Sequence, residues 1–190
     1  AGGSTPLGAL GHVSAALELA DQLARDGYPA PDALVVPLGS GGTAAGLLVG
    51  LALAGVETRL IGVRVVPRVV GNRRRVLGLA HRSHALLGRL AAVALPPIRA
   101  DRFTIDDGAY GGAYGRETEQ ARLAARALRA SGGPMLDGTY SAKAFAAALA
   151  LARQASDRTV LFWLTFDGRW LEPGEPAPAM PRPQPMPNHR

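Results

Sequence analysis

Cysteine is absent from this 190-residue chain, which excludes a disulfide framework and any thiolate metal site and gives no reason to expect an oxidising compartment. The cytoplasm is the default expectation. Lysine is almost absent too: of 21 basic residues, Lys143 is the single lysine and the other twenty are arginine. No apolar run is long enough to span a bilayer, and the first residues show neither a basic leader nor a hydrophobic stretch with a cleavage site. A soluble protein with no membrane partner is expected. Aromatic residues make up only 5%, and none is interleaved with the basic cluster Arg73, Arg74 and Arg75 or with the neighbouring Arg68 and Arg82. A nucleic-acid surface would use such rings to stack on bases, so despite the net charge of +6 the cluster reads as a solvated helix face. His12, His81 and His84 lack nearby carboxylates at ligand spacing. They read as surface or helix-packing residues, and no metal site is expected.

What the chain does have is alanine, glycine, leucine and proline, with 47% hydrophobic residues, enough for one compact domain. Thr5-Pro6 and the recurrence of Leu10, Val13, Leu17, Ala20 and Ala24 predict a helix over about 8–25, stopped at Gly27. Ala33–Leu38 is a short, continuous apolar run, as in a strand buried on both faces of a parallel sheet. A helix from Thr43 to Leu53 ends at Gly55, and a second strand covers Arg59–Val66. A helical stretch over about 69–94, broken near Gly78 or Gly88, ends before Pro96-Pro97. Phe103–Ile105 is a third strand candidate, Glu117–Ala130 and Ser141–Arg153 are helices, and Thr159–Thr165 reads as a last buried strand. Strictly alternating strands and helices select an α/β, three-layer sandwich with a mainly parallel sheet. Its expected extent is residues 1–170. Residues 171–190, with seven prolines between Pro173 and Pro187, are expected to be a disordered tail. The chain opens on Ala1 within an apparent loop, which suggests a fragment.

Gly39, Ser40, Gly41, Gly42 and Thr43 fall directly between a buried strand and a helix. Glycines there let backbone N–H groups converge, the helix N-terminus adds positive potential, and two hydroxyls can donate, which together make a phosphate site. An ordinary tight turn would look much the same. The last glycine spacing, 39, 41 and 46, departs from the dinucleotide fingerprint, and the Gly-Lys-Ser/Thr ending of a nucleotide loop is missing. A monophosphate fits better.

The segment Gly2-Gly3-Ser4-Thr5-Pro6-Leu7-Gly8, then Leu17-Glu18-Leu19, the loop at 39–43, Ile61-Gly62-Val63, Tyr114-Gly115, and the run Leu136 to Ala144, LDGTYSAKA, resemble in content and order the D-cysteine desulfhydrase and aminocyclopropane-carboxylate deaminase family of pyridoxal-phosphate enzymes. The last run is similar to that family's LDPVYTGKA. The resemblance covers nearly everything up to residue 165 and implies the cofactor-binding large domain of a fold type II enzyme, with pyridoxal 5′-phosphate, a small amino-acid substrate and a homodimeric complete protein.

It also implies roles. Gly39, Ser40, Gly41, Gly42 and Thr43 cradle the phosphate, Thr165 meets the pyridine nitrogen, and Tyr140 is a proton-exchanging phenol, with Tyr114 in a similar position near the cofactor. Phe166-Asp167 replaces the two glycines that follow the family's threonine, and Gly138-Thr139 replaces Pro-Val. The lysine that holds the cofactor in this family lies well before the segment with which this chain opens, and Lys143 matches a different position. The expectation is α,β-elimination on D-cysteine by the complete enzyme, with this chain inactive alone. Ser141 after Tyr140 is closer to the threonine of desulfhydrases than to the glutamate of the deaminases. Deaminase and cysteate sulfo-lyase activities are the alternatives within the family, and a non-catalytic module binding phosphate or a partner protein is the alternative outside it.

Overall fold

Valine and leucine in Ala33–Leu38 favour extended backbone, and all six residues are buried in the first strand, β1. The computed structural model describes residues 3–154 and 157–165. Leu34, Val36 and Leu38 pack into one apolar cluster, while Val35 joins a second with Val63, Ala144 and Ala148. A strand that feeds two cores has no polar face to alternate with, which is why its sequence reads as a continuous run.

The elements follow as α1 (Leu10–Asp26), β1, α2 (Gly42–Leu53), β2 (Arg59–Arg64), α3 (Arg73–Ala91), a single 3-10 turn at Ala100–Arg102, β3 (Phe103–Asp106), α4 (Glu119–Ala130), α5 (Ser141–Gln154) and β4 (Val160–Phe162). The four strands are parallel, in the order β3-β2-β1-β4. Helices α1, α2 and α3 share the cluster on one face of the sheet, and α5 covers the other with α4 packed on it. The expected three layers are present. Strand order reverses at β1: the chain leaves it through α2 on one face and returns beside it through α5 on the other. Crevices for ligands open at such switch points, beyond the C-terminal ends of the strands.

Pro37 shapes this crevice. Trp163 N–H donates to Val35 O at 2.8 Å, whereas Leu38 O accepts from Val65 N–H on the β2 side. By alternation, the N–H that Pro37 lacks would have pointed toward β4. Pairing with β4 reaches only Val35↔Phe162, so the proline sits where no donor is needed, and the two chains part above it.

Two expectations need correction. Helix α3 runs through Gly78 and Gly88 without a break; a glycine inside a helix costs about 1 kcal/mol but does not stop it when an apolar stripe, here Val76, Leu79 and Ala80, is buried. Its start lies at Asn72, whose side chain accepts from the Arg75 N–H at 3.0 Å. Asn72→Ala is expected to lower stability by about 1 kcal/mol, read as a shift in the urea midpoint at constant slope. Strand β4 is shorter than expected and only partly buried, because among the described residues it pairs with β1 alone. The arginine cluster is exposed, although Arg73 Nη2 also donates to Ala100 O at 2.7 Å and Arg75 Nη1 to Val69 O at 3.3 Å. Among the described residues no helix is long and apolar enough to cross a membrane. Residues 171–190 and Phe166-Asp167 lie outside the described residues.

Candidate cofactor site

The loop after β1 turns sharply because Gly41, with φ 92°, takes a left-handed conformation closed to most side chains. It is the cap of α2, and among the described residues no side chain caps the first N–H groups of that helix. Those donors are therefore available to a ligand. Close neighbours hold the loop on every side. An added Cβ would lie 2.9 Å from Val76 Cγ2 at Gly41, 2.9 Å from Ser4 Oγ at Gly42, and 3.3 Å from the Tyr140 ring at Gly39.

Hydroxyls gather around the loop. Ser4 Oγ is hydrogen-bonded to Ser40 Oγ, and Thr43 Oγ1 lies 3.1 Å from His12 Nε2. Burial pushes the His12 imidazole below its ordinary value, which keeps the ring neutral beside Thr43. His12 lines the cleft, so reading it as a packing or surface residue was incomplete. Its position on the cleft side of α1 follows from α1 crossing α2 at Gly46, where an added Cβ would lie 2.6 Å from His12 Cβ.

The Tyr140 side of the cleft is built by Asp137. Its Oδ1 accepts from the N–H groups of Thr139 at 3.0 Å and Tyr140 at 2.7 Å, and its Oδ2 accepts from Ser141 N–H at 3.0 Å and from the Ser141 hydroxyl. In return Asp137 N–H donates to Ser141 Oγ at 3.0 Å. One carboxylate thus gathers the N–H groups of the turn that leads into α5 and the first N–H of the helix itself. The sequence reading passed over Asp137, although a capping aspartate just ahead of an alanine-rich helix is a recognisable signal.

Tyr140 Oη is hydrogen-bonded to Tyr114 Oη at 2.8 Å, with the rings edge to face, centroids 6.2 Å apart. That bond, together with partial burial and the nearby Asp137 charge, pushes the Tyr140 phenol up to about 12. Lys143 is fully buried, and its Nζ donates to Tyr110 O at 3.1 Å. Burial lowers its affinity for a proton, partly countered by Asp137.

The result is a cleft of about 330 Å³ whose lining includes Gly39, Ser40, Gly41, Gly42, Thr43, Tyr140 and Thr165. Tyr114 stands outside the lining and reaches it through Tyr140. Lys143 does not line the cleft. Among the described residues, no group of three acidic or imidazole side chains could hold a metal.

A family model for pyridoxal-phosphate dependent enzymes matches residues 1–165. The chain belongs to that family. It is similar to a D-cysteine desulfhydrase of Serratia proteamaculans, 38% identical over 85% of this chain and 47% of that protein. It is also similar to a putative 1-aminocyclopropane-1-carboxylate deaminase of Pyrococcus abyssi, 32% identical over 85% of this chain and 46% of that one. A crystal structure of an ACC deaminase homologue superposes with a TM-score of 0.66 at 28% identity, covering 84% of this chain and 45% of the other. The chain spans about half the length of the curated relatives it matches.

The residues present suit the family's cofactor. A phosphate needs converging donors and space close to the backbone. The cleft lined by the backbone of Gly39, Ser40, Gly41, Gly42 and Thr43 provides that space, and the uncapped start of α2 provides the donors.

Proposed function

We propose that this chain is the phosphate-holding and proton-handling part of an enzyme that removes ammonia and a sulfur leaving group from a small amino acid, with D-cysteine as the favoured substrate. The supporting observation is that the loop at 39–43 and the Tyr140 phenol line one cleft, the ring lying directly over Gly39. Overall, D-cysteine and water give pyruvate, ammonia and hydrogen sulfide. When bound, the cofactor supplies the electron sink for this chemistry. Gly39, Ser40, Gly41, Gly42 and Thr43 would hold its phosphate, and Thr165, exposed three residues beyond β4, would meet the ring nitrogen. Tyr140 Oη lines the cleft as a protonated phenol and would donate a proton to the departing sulfur, with Tyr114 holding the hydroxyl in place. Ser141 is buried in the cap of α5, so no carboxylate follows Tyr140 into the cleft. That favours elimination over the deaminase alternative.

Lys143 is spent on Tyr110 and lies away from the cleft. This chain alone is therefore expected to bind pyridoxal 5′-phosphate reversibly through its phosphate. In a titration followed by amide chemical shifts, the largest changes should fall on residues 39–43, and Gly42→Asp, which adds bulk and negative charge there, should weaken binding about 100-fold or more. Borohydride treatment of the mixture should leave Lys143 unmodified by mass spectrometry. Anion-dependent shifts elsewhere, or a reduced adduct at Lys143, would refute this reading of the cleft.

A further inference from the structure

The segment between β3 and α4 contains no regular structure over 107–118 and includes three glycines in left-handed conformations, Gly111 (φ 73°), Gly112 (84°) and Gly115 (76°). Such backbone has little conformational preference of its own, so an external tether must fix it. It lies against the start of α5 in antiparallel fashion. Tyr110 O meets Lys143 Nζ, Tyr114 Oη meets Tyr140 Oη, and Glu117 rests over Gly138, where an added Cβ would lie 3.0 Å from Oε1. Tyr114 is 59% exposed, whereas Lys143 is 0% exposed. Only one of the two hydrogen bonds is thus shielded from water, where a bond is worth most.

We propose that Lys143 is a positioning residue, its buried amine holding the glycine-rich 110–115 loop against α5 through the Tyr110 carbonyl and so keeping the Tyr114 hydroxyl on Tyr140. The choice of residue supports this. Burying an amine costs free energy that an apolar side chain of similar length would avoid, so the position is best explained by the acceptor it reaches. Asp137, whose charge acts on the amine, accepts from the N–H groups of Thr139, Tyr140 and Ser141, and the lysine donates to Tyr110 O. The proposal rests on the reading of Tyr140 and Tyr114 as the proton-handling pair, but its test involves no cofactor.

Lys143→Met keeps length and burial and removes the donor. With the fold verified by circular dichroism, trypsin should cut after Arg116 at least about tenfold faster than in the parent, relative to other exposed arginines. The Tyr140 phenol, followed by Cζ chemical shift, should titrate closer to 10 than to 12 once Tyr114 has left it. A lysine that only fills space would leave that titration unmoved. Tyr114→Phe, at an exposed position, should lower the Tyr140 titration in the same way while Arg116 stays protected, because the buried tether remains. An unmoved Tyr140 in Lys143→Met, or a Tyr114→Phe protein as open to trypsin as the lysine variant, overturns the proposal. Should Lys143→Met fail to fold, Tyr114→Phe decides alone: rapid cleavage at Arg116 rejects the lysine tether and protection supports it. Failure of the cofactor reading would show separately, as absence of pyridoxal 5′-phosphate binding by the parent protein.

Discussion

Replacing Tyr140 by phenylalanine is expected to lower kcat for D-cysteine elimination by about 10²- to 10⁴-fold, the usual contribution of a general acid or base, in the protein that joins this sequence to a cofactor-binding lysine. The substitution deletes one hydroxyl and keeps the ring that covers Gly39. Cofactor affinity and melting temperature should therefore stay close to the parent. Among the described residues the hydroxyl's partner is Tyr114 Oη, which is exposed enough to turn to water. A packing tyrosine would give the opposite pattern, with normal turnover and a modest loss of stability. Steady-state kinetics beside a thermal melt separate the two. Unchanged kcat would assign Tyr140 to packing and remove it from the proposed chemistry.

The second large effect is expected where α1 crosses α2. An added Cβ at Gly50 would lie 2.5 Å from Ala16 Cβ and 2.7 Å from Val13 O, and one at Gly46 would lie 2.3 Å from Ala9 O and 2.6 Å from His12 Cβ. Backbone atoms cannot swing aside as a long side chain can. Gly50→Val and Gly46→Val should each cost about 3 kcal/mol or more by forcing the helices apart, measured by urea unfolding. The two should differ at the cleft. Gly46→Val displaces His12 and the segment leading to Ser4, so it should also weaken pyridoxal 5′-phosphate binding by about tenfold or more, whereas Gly50→Val acts a turn further from the ligand. Equal and small losses in both variants would mean that the helices meet more loosely than these distances state.

Much of the fold was legible because burial on two faces leaves a plain mark. Ala33–Leu38 could hardly be anything but an interior strand, and the glycines after it had to lie at a strand-to-helix turn. The unbroken α3 was harder, since a glycine's intrinsic cost competes with burial of Val76, Leu79 and Ala80, which sequence alone does not weigh. β4 was read as too long and too buried because apolar content does not reveal how far a strand's pairing extends. At the site, the loop and Tyr140 stood out by residue type and by resemblance. His12 and Lys143 did not, because what matters for them is a contact across 31 residues to Thr43 and one across 33 to Tyr110. Asp137 was overlooked rather than hidden.

Helix α2 is apolar around most of its circumference and is packed between α1, α3 and the sheet, with residues 44–51 all buried. Its N-terminal end is uncapped and faces the cleft. The positive end of that dipole opens on the cleft, where salt screens it as it screens the exposed arginines outside. What salt does not remove is the directed set of backbone N–H donors at the loop, so raising ionic strength should strip anions from the basic exterior first and leave the cleft as the site that still discriminates.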